Sequence, residues 1–192
     1  MTVASIPSIL TSASGVLLID GPSGAGKSTF ARALVDAWPG PVDPVLVRMD
    51  DLYPGWSGLD AASDDLVDHL LRPRRLGRPA RWRRYDWIGE RLAEWHSVPA
   101  DRPLVVEGCG ALSRASSSLA DLRCWIDAPA AVRRRRALAR DEGAFDAHWD
   151  MWAAQVESFV ERERPQRLAD VVIRNLDGEA RRWVEDVCGQ RP

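Results

Sequence analysis

A chain of 192 residues with 45% hydrophobic and 28% charged residues fits one globular domain with a real core. Its formal net charge of −2 argues against a dedicated nucleic-acid binder, and no apolar run reaches the ~18 residues that would cross a membrane. Residues 1–14 lack a basic n-region, so they are expected to be a leader without assigned structure rather than a signal peptide. Cys109, Cys124 and Cys188 show no paired spacing and read as buried or free thiols of a cytoplasmic protein.

In chain order, Val16-Leu17-Leu18-Ile19 reads as a buried strand ending at a glycine-rich turn. Residues 28–38 have helical spacing (Phe30, Leu34, Val35, Trp38) and stop at Pro39-Gly40. Residues 45–49 form a second strand, which ends at Asp50-Asp51. Ser63 is the expected N-cap of a helix with Leu66, Val67, Leu70 and Leu71 on its apolar stripe, ending before Pro73. Residues 73–89 are basic, aromatic and poorly periodic, and are expected to be a surface loop; residues 90–98 read as a short strand or hairpin arm. Strands are expected again at 104–106, ending at Glu107-Gly108, at 124–126, ending at Asp127, and at 171–173. Helices are expected over about 130–141, 146–164 and 178–188. Apolar strands alternating with helices specify an α/β fold, a parallel sheet covered on both faces.

The stretch Gly21-Pro22-Ser23-Gly24-Ala25-Gly26-Lys27-Ser28 matches the phosphate-binding P-loop pattern without a gap. Glycines let backbone N–H groups turn toward a phosphate, and the helix that follows adds roughly half a positive charge. Lys27 is the only lysine in the chain; the other 25 basic residues are arginine. Arginine replaces lysine where only charge matters, but not where a compact ammonium must enter a backbone cradle. Nucleotide binding is therefore expected at Gly21, Ser23, Gly24, Ala25, Gly26, Lys27, Ser28 and Thr29, with the Ser28 hydroxyl able to ligate Mg²⁺.

Asp50 and Asp51 lie just past a strand, on the edge where parallel sheets bind ligands. Asp50, the favoured member, could take a proton from an attacking hydroxyl and help organise Mg²⁺. Glu107 repeats that placement and suits a Mg²⁺-organising carboxylate. Arg133, Arg136 and Arg140 share a helix face that could stabilise a transferred phosphoryl group, or could be a solvated basic face. Tyr53, Trp56, Trp82, Tyr85, Trp87, Trp149 and Trp152 are candidates to line an acceptor site, or to pack. His69, His96 and His148 have no metal-ligand spacing and receive no role.

Taken in order, residues 21–29, Met49-Asp50-Asp51-Leu52-Tyr53, Tyr85-Asp86-Trp87, Val106-Glu107-Gly108, and Asp127 through Val132-Arg133 to Arg140-Asp141 resemble the uridine kinase-like P-loop nucleoside kinases. The resemblance covers roughly residues 15–175. It implies the nucleoside/nucleotide-kinase type of P-loop NTPase fold, with a five-stranded parallel sheet and a small lid. The domain would span 15–192, with an acceptor-side insertion at about 52–98 and the lid at about 133–145. It further implies ATP and Mg²⁺ as cofactors, Asp50 as catalytic base, Glu107 as Mg²⁺-associated acid and Arg133, Arg136 and Arg140 as lid arginines. Asp51, Tyr53, Tyr85, Asp86 and Trp87 would lie near a nucleoside-like acceptor. The chain departs from that family at Ile88-Gly89-Glu90-Arg91, where uridine kinases carry a histidine-serine-arginine group. Rival expectations are a kinase of another small metabolite or of a nucleoside monophosphate, and a nucleotide-binding module without an acceptor. The expected partner is a small molecule, neither nucleic acid nor membrane, with self-association left open.

Overall fold

The apolar runs become the strands of a parallel sheet, and the runs at 16–20 and 104–107 are buried on both faces. A computed structural model describes residue 12 and residues 14–140, 146–176 and 179–188. In chain order it runs β1 (Val16–Asp20), α1 (Lys27–Asp36), β2 (Val45–Arg48), a 3₁₀ turn (Met49–Asp51), α2 (Leu59–Asp65), a π-helical segment (Leu66–Leu71) and α3 (Arg72–Arg75). It continues through β3 (Ala80–Asp86), β4 (Arg91–Val98), β5 (Leu104–Glu107), α4 (Arg114–Ser117), β6 (Leu122–Asp127) and α5 (Ala130–Arg140). A 3₁₀ turn (Asp146–His148) leads into α6 (Trp149–Glu163), α7 (Pro165–Leu168), β7 (Val171–Arg174) and α8 (Glu179–Cys188).

The main sheet has the order β2-β5-β1-β6-β7, and every pairing is parallel. Side chains alternate between its faces. Leu17, Ile19, Val105, Cys124 and Ile126 pack with Phe30 and Leu34 of α1 and Val184 of α8. Phe30 meets Trp183 with ring centroids 5.3 Å apart. Val16, Leu18, Val47, Leu104 and Val106 face the other way, onto Leu66, Leu70, Trp152, Val156 and Phe159. Burial of side chains this size supplies about 1.5–3 kcal/mol each. Asp170 accepts two guanidinium hydrogen bonds from Arg123, at 2.8 and 2.7 Å, and so fixes the entry to β7 beside β6.

Three sequence expectations are corrected. Ser63 is not an N-cap: the helix starts one turn earlier, at Leu59 after Gly58, because Leu59 and Ala62 continue the buried stripe of Leu66 and Leu70. The helical path also does not stop before Pro73. Pro73 occupies the first turn of α3, where its missing N–H costs nothing. Residues 80–86 are not a loop: they are β3, paired antiparallel with β4. Arginines on both faces of β3 hid its alternation. Arg81 caps the Trp95 ring at 4.7 Å, and Arg84 reaches Glu94. The cysteines are free and buried, as expected.

Candidate active site

β1 delivers the phosphate-loop motif to the carboxyl edge of the sheet, and α1 carries it away. Gly24 (φ +77°) and Gly26 (φ +101°) adopt left-handed backbone that side chains resist. Gly26 also caps α1 without any side-chain hydrogen bond, leaving the helix N-terminus to point into the loop. A Cβ on Gly24 would collide with the carbonyl of Arg133, so α5 lies directly against this loop. Asn175, just after β7, donates from Nδ2 to the Ala25 carbonyl at 2.9 Å and braces the other side.

Lys27 is buried (8% exposed). Its Nζ donates to the Pro22 carbonyl at 3.1 Å and lies 3.5 Å from Cys109 Sγ. Burial would lower its pKa, but Cys109, Glu107, Asp20 and Asp50 outweigh that and raise it. The ammonium is therefore held charged by anionic groups from three strand ends. Glu107, at the end of β5, is 3% exposed. Its carboxyl is pushed up by burial, against the opposing charge of Lys27 and a hydrogen bond from Ser28. Asp50 raises Glu107 further, so the Asp50 carboxylate lies within electrostatic reach of both Lys27 and Glu107. Lys27, Ser28, Asp50 and Glu107 thus come together; Thr29 points outward and is exposed.

Asp50 is exposed on the 3₁₀ turn after β2, and its carbonyl accepts the Trp87 indole N–H at 2.9 Å. Asp51 is half-buried, with burial raising its pKa and Arg48 opposing. Tyr53 is buried; its hydroxyl donates to the Cys109 carbonyl at 2.8 Å. Tyr85 and Trp87 meet edge to face at 5.2 Å, and Trp87 leans on Trp56 at 4.9 Å. Asp86 holds the hairpin turn by accepting the Ile88 N–H at 3.2 Å. Arg133 donates to the Ala128 carbonyl at 2.9 Å and pairs with Asp127 at 3.4 Å, while Arg136 donates to the carbonyls of Asn175 and Leu176, both at 3.2 Å. The side chain of Arg140 and residues 141–145, part of the expected lid, lie outside the described residues.

Asp20, Cys109 and His148, to which sequence reading assigned no role, belong to this site, and Trp152, a candidate to line the acceptor site, reaches the phosphate loop. Asp20 is 2% exposed and accepts backbone N–H bonds from Gly21 (2.6 Å), Gly110 (3.1 Å) and Leu112 (2.8 Å). Burial pushes its carboxyl up to about 6 despite those bonds. Its signal was visible: one acid ending an otherwise apolar strand. Cys109 places its thiol 3.5 Å from Ser23 Oγ. Trp152 donates its indole N–H to that same Ser23 hydroxyl at 3.0 Å. His148 stacks on Trp56 at 4.2 Å, for which spacing gave no signal.

Among the described residues no cluster of three or more His, Cys, Asp or Glu side chains is arranged to hold a metal. The hard oxygens of Ser28 and Glu107 fit Mg²⁺, which keeps waters and phosphate oxygens and needs no all-protein cage. Among those residues, no helix is long and apolar enough to cross a membrane.

No family model matches the chain. Two solved structures superpose over nearly all of it. One is a possible uridine kinase from Bacillus stearothermophilus (TM-score 0.61, 20% identity, 89% of this chain and 94% of that one). The other is a shikimate kinase from Acinetobacter baumannii in complex with shikimate (TM-score 0.54, 14% identity, 94% of each). The chain has the P-loop kinase fold. The expected five-stranded sheet is the one observed. In sequence, it is similar to a cytidylate kinase of Halobacterium salinarum, 28% identical over 180 residues, covering 89% of this chain and 83% of that protein. In this fold Lys27 opens α1 after β1, Asp50 follows the edge strand β2 and Glu107 ends β5, so all three lie at the carboxyl end of the sheet.

Proposed function

We propose that the protein is an ATP-dependent kinase that moves the γ-phosphoryl group of ATP onto a hydroxyl of a small, nucleoside-like acceptor. One observation carries this reading: a phosphate cradle holding Lys27 and Ser28 has the carboxylates of Glu107 and Asp50 converging on it. Backbone N–H groups of Ser23, Gly24, Gly26 and Lys27 and the Lys27 ammonium would neutralise phosphate charge. Asp50, exposed toward the acceptor side, would orient the hydroxyl and take its proton. Ser28 and Glu107 would hold Mg²⁺, which would screen the charge of the phosphate oxygens. Tyr85, Trp87 and Trp56 supply flat walls for a ring, with the β3–β4 hairpin acting as the acceptor-side insertion. The protein's work would be positioning and charge stabilisation in a water-poor site of a cytoplasmic enzyme.

The similarity to a cytidylate kinase favours a second reading, in which the acceptor oxygen belongs to a nucleoside monophosphate. The hairpin weighs against it. Arg84 beside Tyr85 is spent on Glu94, at 2.6 and 3.1 Å, and Arg83 on the Ala93 carbonyl at 2.9 Å. A phosphate acceptor needs uncommitted guanidinium groups. The test is coupled ADP release against nucleosides, nucleoside monophosphates and sugar acids, with wild type and Asp50→Asn. Release is expected with a neutral alcohol, and Asp50→Asn should lower turnover about 10²–10⁴-fold while retaining ATP binding. Full turnover in Asp50→Asn would remove Asp50 as the base. Release with monophosphates alone would favour the second reading, and no acceptor-dependent release would leave a nucleotide-binding module.

A further inference from the structure

Among the described residues two carboxylates are buried, Asp20 and Glu107. Glu107 has a place in the proposed chemistry, whereas Asp20 has none. Both oxygens of Asp20 are spent on backbone. Oδ1 accepts the N–H groups of Gly21 at 2.6 Å and Gly110 at 3.1 Å, and Oδ2 accepts that of Leu112 at 2.8 Å. Gly21 opens the phosphate loop. Gly110 and Leu112 belong to the turn that follows β5, 90 and 92 residues further along the chain than Asp20. One carboxylate therefore joins two loops that no local sequence ties together.

That turn touches each of the strand ends that carry the site. The Cys109 thiol donates to the Gly21 carbonyl at 3.3 Å, and the Cys109 carbonyl accepts the Tyr53 hydroxyl at 2.8 Å. A Cβ on Gly108 would strike Cβ of Met49 at 2.4 Å, so the turn is pressed against the segment that bears Asp50. Glu107 stands at the head of the same turn, with its carboxyl hydrogen-bonded by Ser28. We infer that Asp20 is a positioning residue of the phosphoryl-transfer site: it sets the turn after β5 against the phosphate loop and so keeps Glu107 facing Ser28 and Lys27. An amide cannot take its place. Three converging N–H donors need acceptors on both oxygens, and asparagine would aim its NH₂ group at one set of them. Such a role presupposes the transfer reaction proposed above, and the experiment is chosen to tell the two apart.

Mn²⁺ stands in for Mg²⁺ as a paramagnetic probe, and the β,γ-imido analogue of ATP supplies phosphates without turnover. Electron paramagnetic resonance then reads free Mn²⁺ over the full chain. Asp20→Asn should raise the half-saturating Mn²⁺ concentration about ten- to a hundredfold, the range for partners that orient a metal's ligands. By calorimetry, the metal-free affinity for the analogue should stay within about threefold of wild type, because the glycine backbone and helix N-terminus are retained. Asp170→Asn weakens the Arg123 contacts at the amino ends of β6 and β7, away from the site, and controls for lost stability; it should leave both affinities unchanged. Unchanged Mn²⁺ uptake in Asp20→Asn, an equal loss in Asp170→Asn, or an equal weakening of metal-free binding would each overturn the role assigned to Asp20. Where Asp20→Asn does not unfold cooperatively, Asp20→Ser, with no amide to bury, carries the same expectation. Failure of both to fold beside a folded Asp170→Asn would make Asp20 purely structural and overturn it too. Wild-type protein that takes up no Mn²⁺ with the analogue would instead remove the kinase reading, and this role with it.

Discussion

Neutralising Asp20 should change how stability depends on pH. In the folded chain its carboxyl is buried against β1 and the segment after β5, and burial lifts its pKa from 3.8 to about 6. The folded state therefore holds this proton more tightly than the unfolded state. Where the folded state binds more protons, stability falls as pH rises. The contribution is most favourable below the unfolded value, declines between about pH 4 and 6, and is flat above. The full gap corresponds to about 3 kcal/mol, of which about 2 kcal/mol falls between pH 4.5 and 7.5. Asp20→Asn removes the titration. Its single carbonyl oxygen cannot serve all three of the N–H donors of Gly21, Gly110 and Leu112, so the variant starts lower by about 1–3 kcal/mol. Urea unfolding of both proteins across that pH range separates the two effects, because the lost hydrogen bond is constant and the titration is not. The gap between the curves should narrow by about 2 kcal/mol toward pH 7.5. Parallel curves would refute the reasoning.

Three further substitutions probe the same machinery. Lys27→Arg keeps the charge but puts a planar fork where a buried ammonium reaches the Pro22 carbonyl, and steady-state turnover should fall about 10²-fold or more at near-normal stability. Gly24→Ala asks a side chain to adopt φ +77° against the Arg133 carbonyl; denaturation should show a loss of about 1–3 kcal/mol, and calorimetry a weakened affinity for ATP with magnesium. Trp152→Phe keeps the aromatic contact with Tyr53 but loses the bond to Ser23, so stability should fall by about 1 kcal/mol while near-ultraviolet circular dichroism still reports a packed site.

The strands were legible because runs such as Val16-Leu17-Leu18-Ile19 are buried on both faces and leave one interpretation. The phosphate loop was legible because its backbone demands glycine at fixed offsets, and an arginine-rich chain that keeps one lysine marks the place. The second arm of the hairpin, at 90–98, was legible as a strand or hairpin arm, but the first, β3, was illegible for a physical reason. Its outward face is arginine and its inward face is partly arginine too, so the two-residue period carries no contrast in polarity. The start of α2 was misread because Ser63 looks like a cap, yet a cap signal has no force when Leu59 and Ala62 gain more by joining the core. Asp20 and Cys109 lacked a motif altogether, and Trp152 was legible only as a candidate to line the acceptor site or to pack. Their positions follow from strand register and helix packing over separations of 86 to 129 residues, which no local pattern encodes.

Three aromatic side chains brace the site in the same way. Tyr53 and Trp152, buried, and Trp87, partly buried, each spend their single polar hydrogen on a different piece of the site. Trp87 fixes the Asp50 carbonyl, Tyr53 the Cys109 carbonyl and Trp152 the Ser23 hydroxyl. These three segments follow β2, β5 and β1, adjacent strands that run from one edge of the sheet to its centre. A loop in water wanders because solvent competes for its hydrogen bonds; an aromatic donor both excludes that solvent and supplies the bond. Each of these pieces of the site is therefore braced by an aromatic side chain from a different segment of the chain. It follows that conservative changes at these aromatics, phenylalanine for tryptophan or for tyrosine, should leave the fold standing and loosen the alignment of the site, separating what the sheet provides from what the loops provide.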